Sequence, residues 1–423
     1  MKVAGIVAEF NPLHTGHERI IKFCHENLGA DAVVVCMSGN FVQRGEPAIL
    51  DKYTRAITAL GTGVPALASS GSTASGHSQA RAGADLVIEL PVLGATANAE
   101  VFAKTGVSTL LATGVVTDLV FGSESGDEDA IERAARLLLD EPPEFKTVLN
   151  EDLKTGLSYP AAMAKAAAAC GADASIFSNP NDLLGILYVK TLMESGQKKS
   201  FHSVKRIGAD HNSTDIISEN ISSATAIRKH LAEGQNIENL KEFLPSASFN
   251  ALSEGAGKNA LVFPDDISML LHEKLYSVPD LTIFSDIDTD LANRILKKRE
   301  DFTDFTEFAE LLDTRNYTRS RLRRALLHLV LGITDEACAS LRKCNYAPYI
   351  HVLAMNDIGA GLLGKILFPV FCSLSENAVN ELSEDAAACL QKDIFANDLY
   401  NIILTSKNGK PRRREASRKV LKI

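Results

Sequence analysis

The chain has 423 residues, 45% of them hydrophobic and 23% charged, with a formal net charge of −9. That length asks for two or three cores rather than one, and the acidic balance excludes a protein whose whole surface wraps nucleic acid while leaving room for a local basic patch. The seven cysteines form no C-x-x-C pair and are odd in number, which argues against a disulfide framework or a structural zinc site and for reduced thiols.

Val3 to Glu9 reads as a buried strand, broken at Asn11-Pro12. A helix pattern follows from about Thr15 to Leu28, closed by Gly29, and Ala32 to Met37 is a second buried strand. Strand, helix and strand in so short a span make a βαβ unit, which demands parallel pairing and a right-handed crossover. Met1 leads directly into the first strand, and no apolar stretch is long enough for a bilayer, so the expected location is the cytoplasm.

Gly61 to Gln79, rich in Gly, Ser, Thr and Ala, reads as an inserted loop. The alternation resumes with strands at Asp85–Leu90 and Asp118–Phe121 around a helix at Asn98–Leu111. Helices at about Asp127–Leu139, Pro160–Ala169 and Asp182–Met193 precede a strand at His202–Ile207 and a helix opened by Ser222-Ser223. The expected class is therefore α/β, with a doubly wound parallel sheet over residues 1–235. Helical spacing dominates residues 236–345, at Ile267–Leu275, Leu291–Arg299 and Tyr317–Leu331. Residues 346–423 read as a small α/β appendix whose tail, from Lys407, carries eight basic residues against one acidic. That tail is read either as a basic arm for RNA or as a disordered end.

Two segments carry chemistry. In His14-Thr15-Gly16-His17, a strand meets a helix start, where free N–H groups and the dipole favour phosphate and Gly16 permits close approach. Two imidazoles there suit a displacement at phosphorus driven by positioning and electrostatics. In Ser222-Ser223-Ala224-Thr225-Ala226-Ile227-Arg228, capping hydroxyls and a guanidinium make a second phosphate cradle. Taken alone, each segment has a bland reading: surface histidines, or an ordinary capped helix.

Together these segments resemble the nucleotidyltransferase superfamily with HIGH-type motifs. The strings Ser38-Gly39-Asn40-Phe41-Val42-Gln43-Arg44-Gly45-Glu46-Pro47-Ala48, Ala84-Asp85-Leu86-Val87-Ile88-Glu89-Leu90-Pro91, Phe121-Gly122-Ser123-Glu124 and Asn179-Pro180-Asn181-Asp182 narrow the likeness to the bacterial tRNA(Met) cytidine acetate ligase family. Tyr317-Thr318-Arg319-Ser320-Arg321-Leu322 and Ala396-Asn397-Asp398-Leu399-Tyr400 extend it over nearly the whole chain. The resemblance implies a Rossmann-like nucleotidyltransferase domain and an ATP-dependent ligation. Acetate becomes acetyl-adenylate, and the acetyl group passes to N4 of the wobble cytidine of elongator tRNA(Met), without acetyl-CoA.

The same resemblance implies an ATP site of Gly5, Ile6, Val7, Ala8, Glu9, Phe10, Asn11, Pro12, Leu13, His14, Thr15, Gly16, His17, Glu18 and Arg19, with Gly122, Asn181, Arg206 and Ile207. Catalytic roles fall on His14, His17, Ser222 and Arg228, and Mg²⁺ is expected to arrive with ATP. Gln43, Arg44 and Lys52 are expected either to face the cleft or to form loop salt bridges. Arg315, Arg319, Arg321, Arg323 and Arg324 are the candidate tRNA contacts, set against the bland reading of a solvated helix face. The sequence departs from the family in the extra residues at Gly61–Gln79 and in Asp182, where Asn is more usual. Two other readings remain open: a small-molecule adenylyl- or cytidylyltransferase, and an RNA-binding protein with a relic nucleotide site.

Overall fold

The computed structural model describes residues 1–61, 83–157, 159–206, 223–314, 317–374, 380–412 and 414–423. The expected loop from Gly61 to Gln79 therefore lies, past its first residue, outside the described residues, as do Ile207, Ser222 and Arg315.

Strands β1 (Val3–Ala8), β2 (Ala32–Ser38), β5 (Leu86–Leu90), β6 (Asp118–Ser123) and β7 (Ser200–Lys205) form a parallel sheet in the order β5-β2-β1-β6-β7. Every residue of β2 is buried because helices cover both faces. On one face, Ile21 and Cys24 of α1 (Thr15–Glu26) and Ala56 and Ala59 of α2 (Lys52–Leu60) pack on Val33, Val35 and Met37. On the other, after the short α3 (Val92–Ala95), Phe102, Val107 and Leu110 of α4 (Ala99–Ala112) pack on Val34 and Cys36. The same cluster takes in α5 (Glu128–Asp140), α6 (Pro143–Lys154), α7 (Tyr159–Ala169), α8 (Ala174–Ser178) and α9 (Pro180–Glu194). The chain steps from β1 to one side and later returns to the other, so strand order reverses between β1 and β6. In open α/β sheets that switch point is where ligands bind.

After α10 (Ala224–Ala232) the chain becomes helical: α11 (Ser246–Gly257), α12 (Ser268–Ser277), α13 (Thr289–Lys298), α14 (Phe305–Leu311), α15 (Arg319–Leu331) and α16 (Asp335–Lys343). The α/β elements expected near the C-terminus are β8 (Ile350–Met355), α17 (Asp357–Leu363), β9 (Val370–Phe371) and α18 (Glu384–Asn408), and the tail adds a strand outside that expectation, β10 (Leu421–Lys422). They do not stand apart. β8 pairs antiparallel with β5 and receives β9 and β10, extending the edge of the main sheet. Meanwhile Leu390, Tyr400 and Leu404 of α18 share a core with Leu322 and Leu326 of α15. Burial of both faces explains this: every residue of β8 is buried and needs a covered sheet.

Among the described residues, the basic tail is not the disordered end that is one of its two expected forms. Its acidic residue, Glu415, is buried and accepts from the Tyr53 hydroxyl at 2.8 Å. Lys407 pairs with Asp266 at 2.6 Å, Lys422 pairs with Asp357 at 2.8 Å, and Arg418 lies over the Tyr53 ring. Among the described residues, the tail is docked along the sheet edge rather than held out as an arm.

Candidate active site

The cleft opens at the switch point. It counts ≈ 1120 Å³ with its open mouth. β1 delivers Glu9, Phe10 and Asn11 to its floor, and α1 delivers the histidines. His14 is the N-cap of α1, and its Nδ1 accepts the Gly16 N–H at 3.0 Å. His17 Nδ1 accepts the His14 N–H at 3.3 Å, so two imidazoles form the reciprocal cap that Ser and Glu more often make. The rings lie 3.8 Å apart between centroids, tilted by 31°. With both Nδ1 atoms accepting backbone N–H groups, each neutral ring carries its proton at Nε2 and is a donor there.

The β2 side of the cleft is a hairpin of β3 (Phe41–Val42) and β4 (Glu46–Pro47) with Gln43 and Arg44 at its tip. Gly45 turns it at φ +75°, and a Cβ there would collide with the backbone of Arg323 and Arg324. The hairpin is tied down from below. Arg55, fully buried, donates to Glu9 O at 2.5 Å, to Ser38 O at 3.1 Å, to Leu50 O at 3.0 Å and to Gly39 O. Gln43 N–H donates to Glu9 Oε1 at 2.8 Å. Arg228 of α10, behind the Ser223 cap, donates to Asn11 O at 2.7 Å and pairs with Glu46 at 2.7 Å.

The β6 side carries Gly122, Asn181 and Arg206. Asn181 donates to Glu124 at 2.5 Å, and Glu124 also accepts the Asp182 N–H at 2.9 Å. Asp182 is buried and accepts from Asn179 Nδ2 at 2.9 Å, from the Ser125 N–H at 3.1 Å and from the Ser123 hydroxyl. The carboxylate that departs from the family thus clamps the turn after β6. Burial lowers the Arg206 guanidinium against an opposing pull from Glu124.

Ile6, Val7, Ala8, Glu9, Phe10, Asn11, His14, His17, Gly122, Asn181, Arg206 and Arg228 line the cleft. Gly16 and Arg19 border a recess beside it that shares His17 and Arg206. Gly5, Pro12, Leu13, Thr15 and Glu18 line neither. Gly5 faces away, where a Cβ would sit 2.8 Å from Val116; Leu13 belongs to the core, and Glu18 pairs with Lys22 at 3.3 Å. Gln43 and Arg44 face the cleft, whereas Lys52 does not. It is sealed between Glu89 at 2.6 Å and Glu415 at 2.7 Å, with His351 on Glu89 at 2.6 Å. Sequence reasoning missed the apolar lining of Phe102, Leu184 and Tyr188, whose helical spacing is indistinguishable from core.

The arginines of the candidate tRNA face divide. Arg319 is exposed beside Asp313 at 3.1 Å, and Arg321 pairs with Asp288 at 2.8 Å while stacking on Tyr317. Arg323 reaches within 3.7 Å of Glu46. Arg324 does not share the exposed face; it is buried and commits its Nε to Asp286 at 2.9 Å.

The profile of the HIGH Nucleotidyl Transferase family matches residues 1–68 and 77–415. A tRNA(Met) cytidine acetate ligase of Clostridium novyi is 35% identical over 400 residues, 91% of this chain and 93% of that one. Its counterpart in Acetivibrio thermocellus is 34% identical over 415 residues, 95% of this chain and 94% of that one. The chain belongs to the tRNA(Met) cytidine acetate ligase family. Among solved structures, apo TmcAL of Thermotoga maritima superposes with a TM-score of 0.87 at 30% identity over 100% of both chains. The same ligase bound with alpha-thio ATP gives 0.85 at 30% identity over 100% of this chain and 99% of that one. As in that ligase family, the fold is a nucleotidyltransferase domain, and no described helix is long and apolar enough to cross a membrane.

Proposed function

We propose that this chain is an ATP-dependent ligase of the cytoplasm. It joins acetate to ATP as acetyl-adenylate, releases pyrophosphate, and passes the acetyl group to N4 of the wobble cytidine of elongator tRNA(Met), releasing AMP. The observation that carries the reading is the imidazole cap: two Nε2–H donors held side by side where β1 meets α1, at the switch point of the sheet. Donors so fixed favour the charge that builds on an α-phosphate under attack and need no reorganisation when it forms.

The surrounding groups distribute along the sheet edge. We assign the nucleoside to Gly122, Asn181 and Arg206 on the β6 side, and by the resemblance to Ile207 as well. His14 and His17 take the α-phosphate, and Arg228 with Ser222 takes the β- and γ-phosphates. Gln43 and Arg44, on the β2 side, are left for the acetate carboxylate. Mg²⁺ is assigned to ATP itself, where it would neutralise phosphate charge. Of the described cleft residues only Glu9 offers a carboxylate, and the buried Glu89–His351–Glu415 group is filled by the Lys52 ammonium. Activation belongs to residues 1–235, tRNA contacts through Arg319 and Arg321 to 236–345, and bracing of both to 346–423.

The test is direct. The protein is incubated with ATP, labelled acetate and unmodified elongator tRNA(Met), and the RNA is digested to nucleosides. Label in N4-acetylcytidine, dependent on ATP and independent of acetyl-CoA, is the expected result. Folded, ATP-binding protein that yields none would instead favour nucleotide transfer to a small molecule.

A further inference from the structure

The transfer half of the proposed reaction makes a proton that the activation half does not. As the cytidine N4 attacks the acetyl carbonyl carbon, an N–C bond forms. The C–O bond to the adenylate phosphate breaks, and its electron pair leaves with AMP. N4 must shed one proton.

Few groups in the cleft can take it. His14 and His17 each accept a backbone N–H at Nδ1 and carry a proton at Nε2, so gaining a second would break the cap of α1. Arg44, Arg206 and Arg228 are cations. Among the described residues, Glu9 is the one carboxylate lining the cleft. It is partly buried there, directly after the last residue of β1. Its Oε1 accepts the Gln43 N–H at 2.8 Å, and its Oε2 has no hydrogen-bond partner among the described residues.

We propose that Glu9 is the base that receives the N4 proton during acetyl transfer, and that it serves that half of the reaction only. The inference rests on the two-step reading above. The charged and titratable groups around Glu9 are Arg44 and Glu46 of the hairpin, Arg55 of α2, Tyr188 of α9, Arg228 of α10, and His14 and His17 of α1. Burial pushes the carboxyl above its ordinary value more strongly than the Gln43 N–H, Arg44 and Arg228 pull it down. That brings it toward the working pH, where proton acceptance is most effective.

Glu9→Gln keeps an Oε1 for the Gln43 N–H and removes the base. Two rates separate its roles. Acetate-dependent exchange of pyrophosphate into ATP reads activation; single-turnover transfer from enzyme-bound acetyl-adenylate to unmodified elongator tRNA(Met) reads the second half. Transfer is expected to fall about 10²–10⁴-fold, well beyond any loss of exchange that follows from altering a residue of the ATP cleft. The wild-type transfer rate should decline as pH drops through the raised carboxyl value, and the residual rate of the variant should lack that decline. Glu9→Asp, which keeps a displaced carboxylate, should recover part of the transfer rate and the acid decline. Transfer at the wild-type rate in Glu9→Gln, or equal loss of both rates, overturns the inference while leaving the ligase reading intact. Wild type that neither exchanges nor transfers overturns the ligase reading and this inference with it.

Discussion

Lys52→Met is the sharpest test of how the site is held. Lys52 has no exposed surface, and its ammonium sits 2.6 Å from Glu89 and 2.7 Å from Glu415. Methionine fills nearly the same volume, so the change removes charge rather than packing. Two carboxylates are then left buried, with the His351 ring 2.6 Å from Glu89. Breaking a buried ion pair from one side costs about 3–5 kcal/mol, which for a chain of this size is roughly 3–6 °C in melting temperature. The pH dependence gives the sign. Burial by itself raises Glu89, but Lys52 and His351 outweigh it and hold the carboxyl at about 2, below its ordinary 4.5. In the wild type this contribution is present above 4.5 and is lost as pH falls toward 2. Without Lys52 the burial effect prevails, Glu89 rises, and protonation relieves the variant. The difference in melting temperature from wild type, measured by calorimetry at pH 7.5 and pH 5, should therefore shrink at the lower pH. A variant that melts with the wild type, or a difference that widens on acidification, refutes the reasoning.

Four further outcomes are expected. His17→Ala should lower acetate-dependent pyrophosphate exchange by about 10²-fold or more, as for loss of one transition-state donor; unchanged exchange would remove His17 from that role. Arg324→Ala should lower the melting temperature, because Asp286 loses its buried partner. Arg319→Ala should leave melting unchanged but reduce the salt slope of tRNA binding by about 1, and the opposite assignment would show the face of α15 to be misread. Gly45→Ala should cost about 1–3 kcal/mol from the left-handed backbone and the collision with α15, together with a raised KM for acetate as the Arg44 tip shifts, both checked by melting and steady-state kinetics.

The first βαβ unit was legible because three signals agreed: apolar β-branched runs, a polar helix start and a closing glycine. The histidine site was legible for the same reason, since its motif fell where strand meets helix. Sheet membership was not. The run from Tyr349 to Met355 announces a buried strand, but periodicity carries no direction, so its antiparallel place beside β5 could not be read. Helical spacing likewise fails to separate Tyr188, which faces the cleft, from Ile186, which faces the core. Arg324 looks like a surface charge in sequence, and the salt-bridge alternative for Lys52 carries no partner's name, because Asp286 and Glu415 are distant along the chain. The resemblance puts Glu9 within the ATP site without a role of its own, and the three-dimensional lining shows it to be the lone described acid there.

The docked tail has a consequence for synthesis. Tyr53 and the Glu415 carboxylate it meets are 362 residues apart. At about 5–20 residues per second, a ribosome takes on the order of 20–70 s to make the intervening chain. For that interval Lys52 has only half its cage, and the edge strand that β8 will cover lies open on β5. The nascent chain thus passes through a stage with its histidine motif complete and its foundation unfinished, which is the stage at which a chaperone would find a bare sheet edge to hold.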